Sequence, residues 1–364
     1  MVVYLLTVLL VLVLSIVFIS KNENDKIIYD NRRLYYHVII AVWFILFLGL
    51  RNDYMFTDTQ NYRAIYENPV MYGVRGIAQH GTFFQDLGFY SFIYALHEFG
   101  IPFRGLLFIH ATVYIGSLSL LVYRYSSKPW LSYLLFMFTG LLAFATTMRQ
   151  SFAVSFVVLA TMFAVRKNIG GYIVMIVLAM SFHMTAIVAA PIYFIIKKWK
   201  NYTVYLFLAG FVLMTYFAST ILSIAAEETG KGYTQTATGG WFTILYAVIV
   251  LVVSFKYSYN IKHDKTFLKL YLMVICFFPF AKLNPAFFRV YIYYSVFLLV
   301  LAPDLVFFRK KVNELVLCLF LGWGLIAFFY KSKQAGVRTF PYVFYWQDYF
   351  QENLDARTLK LMGK

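Results

Sequence analysis

Arg51, Arg149 and Arg289 each stand at the edge of a long apolar run. A guanidinium forks onto phosphate oxygens and keeps its proton, so such a set suits a pyrophosphate whose charge must be held without acid catalysis. The ordinary alternatives are a headgroup anchor for Arg51 or Arg289 and a plain turn for Arg149-Gln150. His183 interrupts the apolar run from Tyr172 to Ile196. An ionisable group so placed is costly in lipid and titrates near neutrality, which fits a general base or a hydrogen-bonded structural residue. Asp58, between Thr57 and Thr59, is the second candidate base, and Asp86 precedes Leu87-Gly88-Phe89-Tyr90. Either carboxylate can hold an arginine, accept a proton or bind a cation. Asp58 or Thr57 also suits the cap of a helix through Tyr62. His110, within an apolar run, reads as structural.

Other chemistries lack their residues. No pair of carboxylates has the spacing of a metal-dependent glycosyltransferase, and there is no Gly-rich nucleotide loop, His-x-x-His or Cys-x-x-Cys. No metal site or cofactor is expected. Cys276 and Cys318 each lie inside an apolar run, so no disulfide framework is expected.

These side chains must be positioned by membrane helices. Hydrophobic residues make up 62% of the chain and aromatics 21%, too little polar surface to cover a water-soluble globule of 364 residues. The expected fold is an all-α polytopic membrane protein, a single transmembrane domain over 1–364 with about 12 spans. It includes Val2 to Ile19, Leu34 to Leu50, Gly105 to Tyr123, Trp130 to Met148, Ser151 to Val165, and a run broken at His183 into Tyr172 to Phe182 and Met184 to Ile196. Later spans are placed over Tyr202 to Ala225, Trp241 to Phe255, Phe267 to Phe280, Val290 to Phe308 and Glu314 to Tyr330. Leu87 to Phe99, carrying His97 and Glu98, is short for a crossing and reads as a half-helix or a surface helix. Between the spans lie an outer loop at 51–86 with the polar motif, a short outer loop at 226–240, and a tail at 331–364.

The net charge of +16 reads as basic cytoplasmic loops beside anionic membrane lipid, not as a nucleic-acid surface. Lys and Arg concentrate on the side that receives Arg32, Arg33, Arg124, Lys167 and Lys197, which makes that side cytoplasmic. Arg51, Asp58, Asp86, Arg149, Gln150, Arg289 and Tyr342 then fall on the outer face, with His183 at a turn opening towards it.

In order, Gly49-Leu50-Arg51, Thr57-Asp58-Thr59 with Tyr62, Asp86 to Tyr90, Arg149-Gln150 with Ala153, His183 with Ala186, Arg289 with Tyr293, and Pro341-Tyr342 resemble the EpsG family of Wzy-type polysaccharide polymerases. The chain departs in having Met55-Phe56 where the family often has Val-Gly, and Asp86 in place of Glu. The resemblance implies a GT-C-like membrane glycosyltransferase on the outer, periplasmic face of the bacterial cytoplasmic (inner) membrane. It would join undecaprenyl-pyrophosphate-linked repeat units, as donor and acceptor, into O-antigen, capsule or exopolysaccharide, with a chain-length regulator protein as partner. Arg51, Arg149 and Arg289 would bind the pyrophosphate. His183 or Asp58 would be the base, and Thr59, Tyr62, Asp86, Gln150, Tyr293 and Tyr342 would contact substrate. The rivals are a lipid-linked oligosaccharide flippase, which should show an internal repeat, and an O-antigen ligase, which should carry a large late outer loop.

Overall fold

A computed structural model describes residues 2–19, 30–56, 58–68, 86–198, 266–283, 288–305 and 339–347, with part of 209–249 and most of 321–332. Among the described residues the chain is helical, apart from one isolated antiparallel bridge between Arg51 and Phe344. Helices α1 (Val2–Phe18) and α2 (Asn31–Gly49) are followed by a short α3 (Thr59–Glu67) and by α4 (Leu87–Glu98). Next come α5 (Phe103–Tyr125) and α6 (Pro129–Leu135), which runs through a π-helical turn at Phe136–Gly140 into α7 (Leu141–Thr146). Then α8 (Met148–Val165) and α9 (Ile169–Phe182) lead through a 3-10 turn, Met184–Ala189, to α10 (Ile192–Lys198). Beyond them are α11 (Thr266–Leu283), α12 (Phe288–Ser295) and α13 (Leu298–Leu305).

Four described helices are long and apolar enough to cross a membrane: Asn31–Gly49, Phe103–Tyr125, Pro129–Thr146 and Met148–Val165. They coincide with expected spans, and Val2–Phe18, Ile169–Phe182 and Met184–Lys197 are shorter apolar helices at three more. Most of the expected spans at 202–225 and 241–255 and of the loop at 226–240 lies outside the described residues, as do 314–320 and 69–85 of the outer loop. At ~1.5 Å per residue α4 is about 18 Å long, short for a crossing, and it packs on α3 and α9.

Hydrogen bonds at the helix ends fix the direction of each neighbour. The Asp30 carboxylate accepts from the Arg33 backbone N–H at 2.7 Å and caps α2. The Arg33 guanidinium donates to the carbonyls of Tyr123 at 2.9 Å and Ser126 at 2.9 Å, closing the C-terminus of α5. At the opposite end Arg104, in the first turn of α5, donates to the Gly49 carbonyl at 3.1 Å. Helices α2 and α5 are therefore antiparallel. Ser151, in the first turn of α8, bonds His110 near the start of α5, so α8 begins at the same end as Arg104. The ends of α2, α7 and α9 and the starts of α5 and α8 share one end of the bundle.

Two local expectations are corrected. Arg149 and Gln150 do not form a turn; they lie in the first turn of α8, and the break falls at Thr147. The hydroxyl of Thr146 donates to the Ala143 carbonyl at 2.9 Å and that of Thr147 to the same carbonyl at 2.8 Å, satisfying acceptors that the end of α7 leaves open. Asp58 occupies the cap position of α3, but its backbone is helical and its carboxylate makes no capping bond, while Thr57 lies outside the described residues. The break at His183 is present: its extended backbone (φ −157°, ψ 110°) ends α9 and precedes the 3-10 turn.

Candidate functional site

Beneath the polar end, aromatic rings tie α4, α8 and α9 together. Phe152 lies 5.5 Å from Phe92 and 5.3 Å from Phe182, and Phe89 lies 6.3 Å from Phe182, within the range of favourable aromatic pairs. Upon this floor stand three side chains from three helix ends. Asp86 stands at the cap position of α4, Arg149 begins α8, and His183 ends α9.

Asp86 joins the other two. Its Oδ2 accepts from Arg149 Nη1 at 2.6 Å, and its Oδ1 lies 3.2 Å from His183 Nδ1. The Asp86 side chain is 10% exposed, that of His183 18% and that of Arg149 33%, so the cluster is sheltered with the guanidinium as its most open member. The Asp86 backbone is left-handed (φ 62°), a region that Asp enters more readily than most residues. Tyr90, one turn along α4, places its hydroxyl 3.4 Å from Arg149 Nη1. Tyr62 of α3 accepts from the Arg149 backbone N–H at 3.5 Å. Burial pushes the Tyr62 hydroxyl pKa up against the opposing pull of the arginine charge, so it stays protonated near neutrality. Two residues beyond His183, Thr185 bonds the Tyr293 hydroxyl at 3.0 Å, bringing α12 to the same place.

Arg51 occupies a second cluster at the same end. It is fully buried, its Nη1 donates to the Leu48 carbonyl, and its guanidinium carbon lies 5.6 Å from the centre of the Phe56 ring. Its Nε and Nη2 have no hydrogen-bond partner among the described residues. Burial pushes its pKa down to about 10. The cover is the segment 339–347: Asn52 N–H donates to the Val343 carbonyl at 2.8 Å and Tyr345 N–H to that of Leu50 at 2.9 Å. Tyr342, expected on a sugar, is instead buried and donates its hydroxyl to the Phe47 carbonyl at 2.5 Å.

The structure thus brings Arg149, Asp86, His183, Tyr62 and Tyr293 to one place. Arg51 and Tyr342 form a neighbouring buried cluster. Asp58 and Thr59 stand at the start of α3, with Thr59 buried, and Gln150 is buried beside Arg149. Arg289 sits in the first turn of α12, and its side chain lies outside the described residues. Sequence reasoning did not single out Asp53, whose carboxylate accepts from Arg104 Nη2 at 2.6 Å and from Arg63 Nη1 at 3.0 Å. Arg104 also donates to the Arg51 carbonyl, so this network holds the turn after α2. The available signal was the lone Arg104 on the outer face.

Helices of membrane-spanning length and a sheltered cation, carboxylate and imidazole at one end define a membrane protein with a polar site at the edge of its apolar bundle. The chain belongs to the EpsG family, whose model matches residues 34–344. Membership makes it a membrane protein of polysaccharide biosynthesis. No curated protein and no solved structure matches it.

Proposed function

We propose that this protein is a Wzy-type polymerase that joins oligosaccharide repeat units carried on undecaprenyl pyrophosphate, at the periplasmic face of the inner membrane. The observation that carries this reading is the convergence of Arg149 and His183 on one carboxylate at a bundle end. A lipid-pyrophosphate donor already carries its activation, so the protein needs a base for the acceptor and a fixed cation for the leaving group.

In this reading His183 Nε2 takes the proton of the acceptor hydroxyl as its oxygen bonds to the anomeric carbon of the donor. The anomeric carbon–phosphate oxygen bond breaks, and its electron pair leaves on undecaprenyl pyrophosphate. General-base assistance contributes ~10²- to 10⁴-fold. Arg149, the most open of the three groups, meets the charge that develops on the pyrophosphate; a preset guanidinium stabilises it without reorganising. Arg289 is a second candidate for this task by its place at the start of α12. Arg51 joins them only when the 339–347 segment lifts from it. Asp58 remains the alternative base, and Thr59, Tyr62, Gln150 and Tyr293 are the candidates for contact with the substrate. A chain-length regulator is the proposed protein partner.

Deletion of the gene in its host tests the assignment. A polymerase deletion leaves lipid A core bearing a single repeat unit, restored to long chains by the gene in trans. Loss of all repeat units identifies a flippase or ligase instead.

A further inference from the structure

Asp86 was expected to touch substrate. We infer instead that Asp86 is a positioning residue, which fixes the His183 imidazole with its proton on Nδ1 and its free lone pair on Nε2, while holding Arg149 at a set distance from that base. The inference rests on the polymerase reading for its consequence, though not for its geometry.

Both carboxylate oxygens are committed, Oδ2 to Arg149 and Oδ1 to His183. An ionised carboxylate has no proton to donate, so the 3.2 Å contact is a hydrogen bond only if His183 Nδ1 carries the hydrogen. The tautomer follows from the partner, as it does wherever a carboxylate orients an imidazole. The remaining nitrogen, Nε2, is then an acceptor able to take a proton, and the imidazolium that results is stabilised by the adjacent anion. The span between base and cation becomes one carboxylate wide. That separation suits one ligand carrying both a nucleophile to be deprotonated and a phosphate to be held nearby. Asp86 sits where it does because α4 starts there in a left-handed conformation that aims its side chain between α8 and α9.

Among the described residues, the charged or titratable groups around His183 are Asp86 at 3.2 Å, Arg149 across that carboxylate, and Tyr293 through Thr185. Removing the Asp86 charge therefore removes the only described anion beside the imidazole. The imidazole then loses the acceptor that orients it, and its Nε2 is no longer fixed against Arg149.

Two readouts test this on the full-length protein. In protein carrying ¹⁵N-labelled histidine, with the His183 signal identified by its loss in His183→Gln, the resonances should report a proton on Nδ1 at a pH where the ring is neutral. With the lipid-linked repeat unit extracted from the deletion strain as substrate, Asp86→Asn should lower kcat by ~10- to 100-fold with KM changed less than threefold. Asp86→Glu, which restores the carboxylate, should return part of the lost kcat. A wild-type His183 protonated on Nε2 overturns the proposal whether or not the protein polymerises. So does an Asp86→Asn protein that keeps the wild-type kcat. Failure of wild type to extend its substrate counts against the polymerase reading, and the NMR result still decides the role of Asp86.

Discussion

Gly88 rests directly against Ser181. A Cβ at position 88 would stand 2.3 Å from the Ser181 hydroxyl oxygen and 3.0 Å from its backbone carbonyl carbon. Gly88 lies two residues after Asp86, and Ser181 two before His183. The close approach of these two backbones is therefore what sets the carboxylate against the imidazole.

Gly88→Ala should force α4 away from α9 and lengthen the contact between Asp86 and His183. Overpacking of this kind costs ~1–3 kcal/mol, so the melting temperature should fall and chain extension should drop by at least about tenfold. Adding Ser181→Gly removes the nearest two obstructing atoms and should recover part of both. Thermal unfolding and in vitro extension of the two variants check this. Wild-type behaviour of Gly88→Ala would show that the approach does not control the site.

Arg51→Met should make the protein more stable and less active. The buried guanidinium leaves Nε and Nη2 without partners among the described residues, and burial depresses its pKa to about 10. The sign follows from proton binding. Between pH 10 and the ordinary arginine range the unfolded chain holds more protons than the folded one, so stability rises with pH across that window and the penalty is fully present below it. That penalty is on the order of a few kcal/mol, and a methionine of similar length removes it. A lower melting temperature for Arg51→Met at pH 7 would contradict this.

How much of the site was visible beforehand depends on how local its signals are. A lone histidine in an apolar run announces a break, and α9 ends at His183. Isolated arginines at span ends announce a polar face, and Arg149 is on it. The turn before Arg149 was misplaced because Thr146 and Thr147 close α7 with their own hydroxyls, and no residue type at 149 or 150 reports that. Non-local contacts were the least legible. The bridge from Arg51 to Phe344 buries the arginine under residues almost at the other end of the chain. Tyr342 is one tyrosine among 31, and nothing in its neighbourhood says that its hydroxyl faces Phe47.

Tyr342→Phe isolates that last contact. Burial pushes the Tyr342 hydroxyl pKa well up, so it donates at all working pH values. Its loss leaves the Phe47 carbonyl without that donor and should cost ~1–2 kcal/mol in unfolding free energy. Chain length should be unchanged. A shortened or absent polymer from a fully folded Tyr342→Phe protein would return this residue to the substrate site.

The two partners of Asp53 should differ in weight. Arg104, with a side chain 22% exposed, also holds two backbone carbonyls, and Arg104→Ala should destabilise by ~1–3 kcal/mol. Arg63, 47% exposed, offers an ion pair screened by water, and Arg63→Ala should cost less than about 1 kcal/mol. Thermal unfolding of both variants at matched ionic strength compares them, and equal losses would contradict the ranking.

Formation of a single glycosidic bond by purified protein tests the account most directly. Wild type supplied with the one-unit lipid-linked substrate should yield the two-unit product and free undecaprenyl pyrophosphate by mass spectrometry. Folded Arg149→Ala and His183→Gln should each leave the substrate almost unconverted. Two-unit product at the wild-type rate from both variants would contradict a reaction centre built on Arg149, Asp86 and His183.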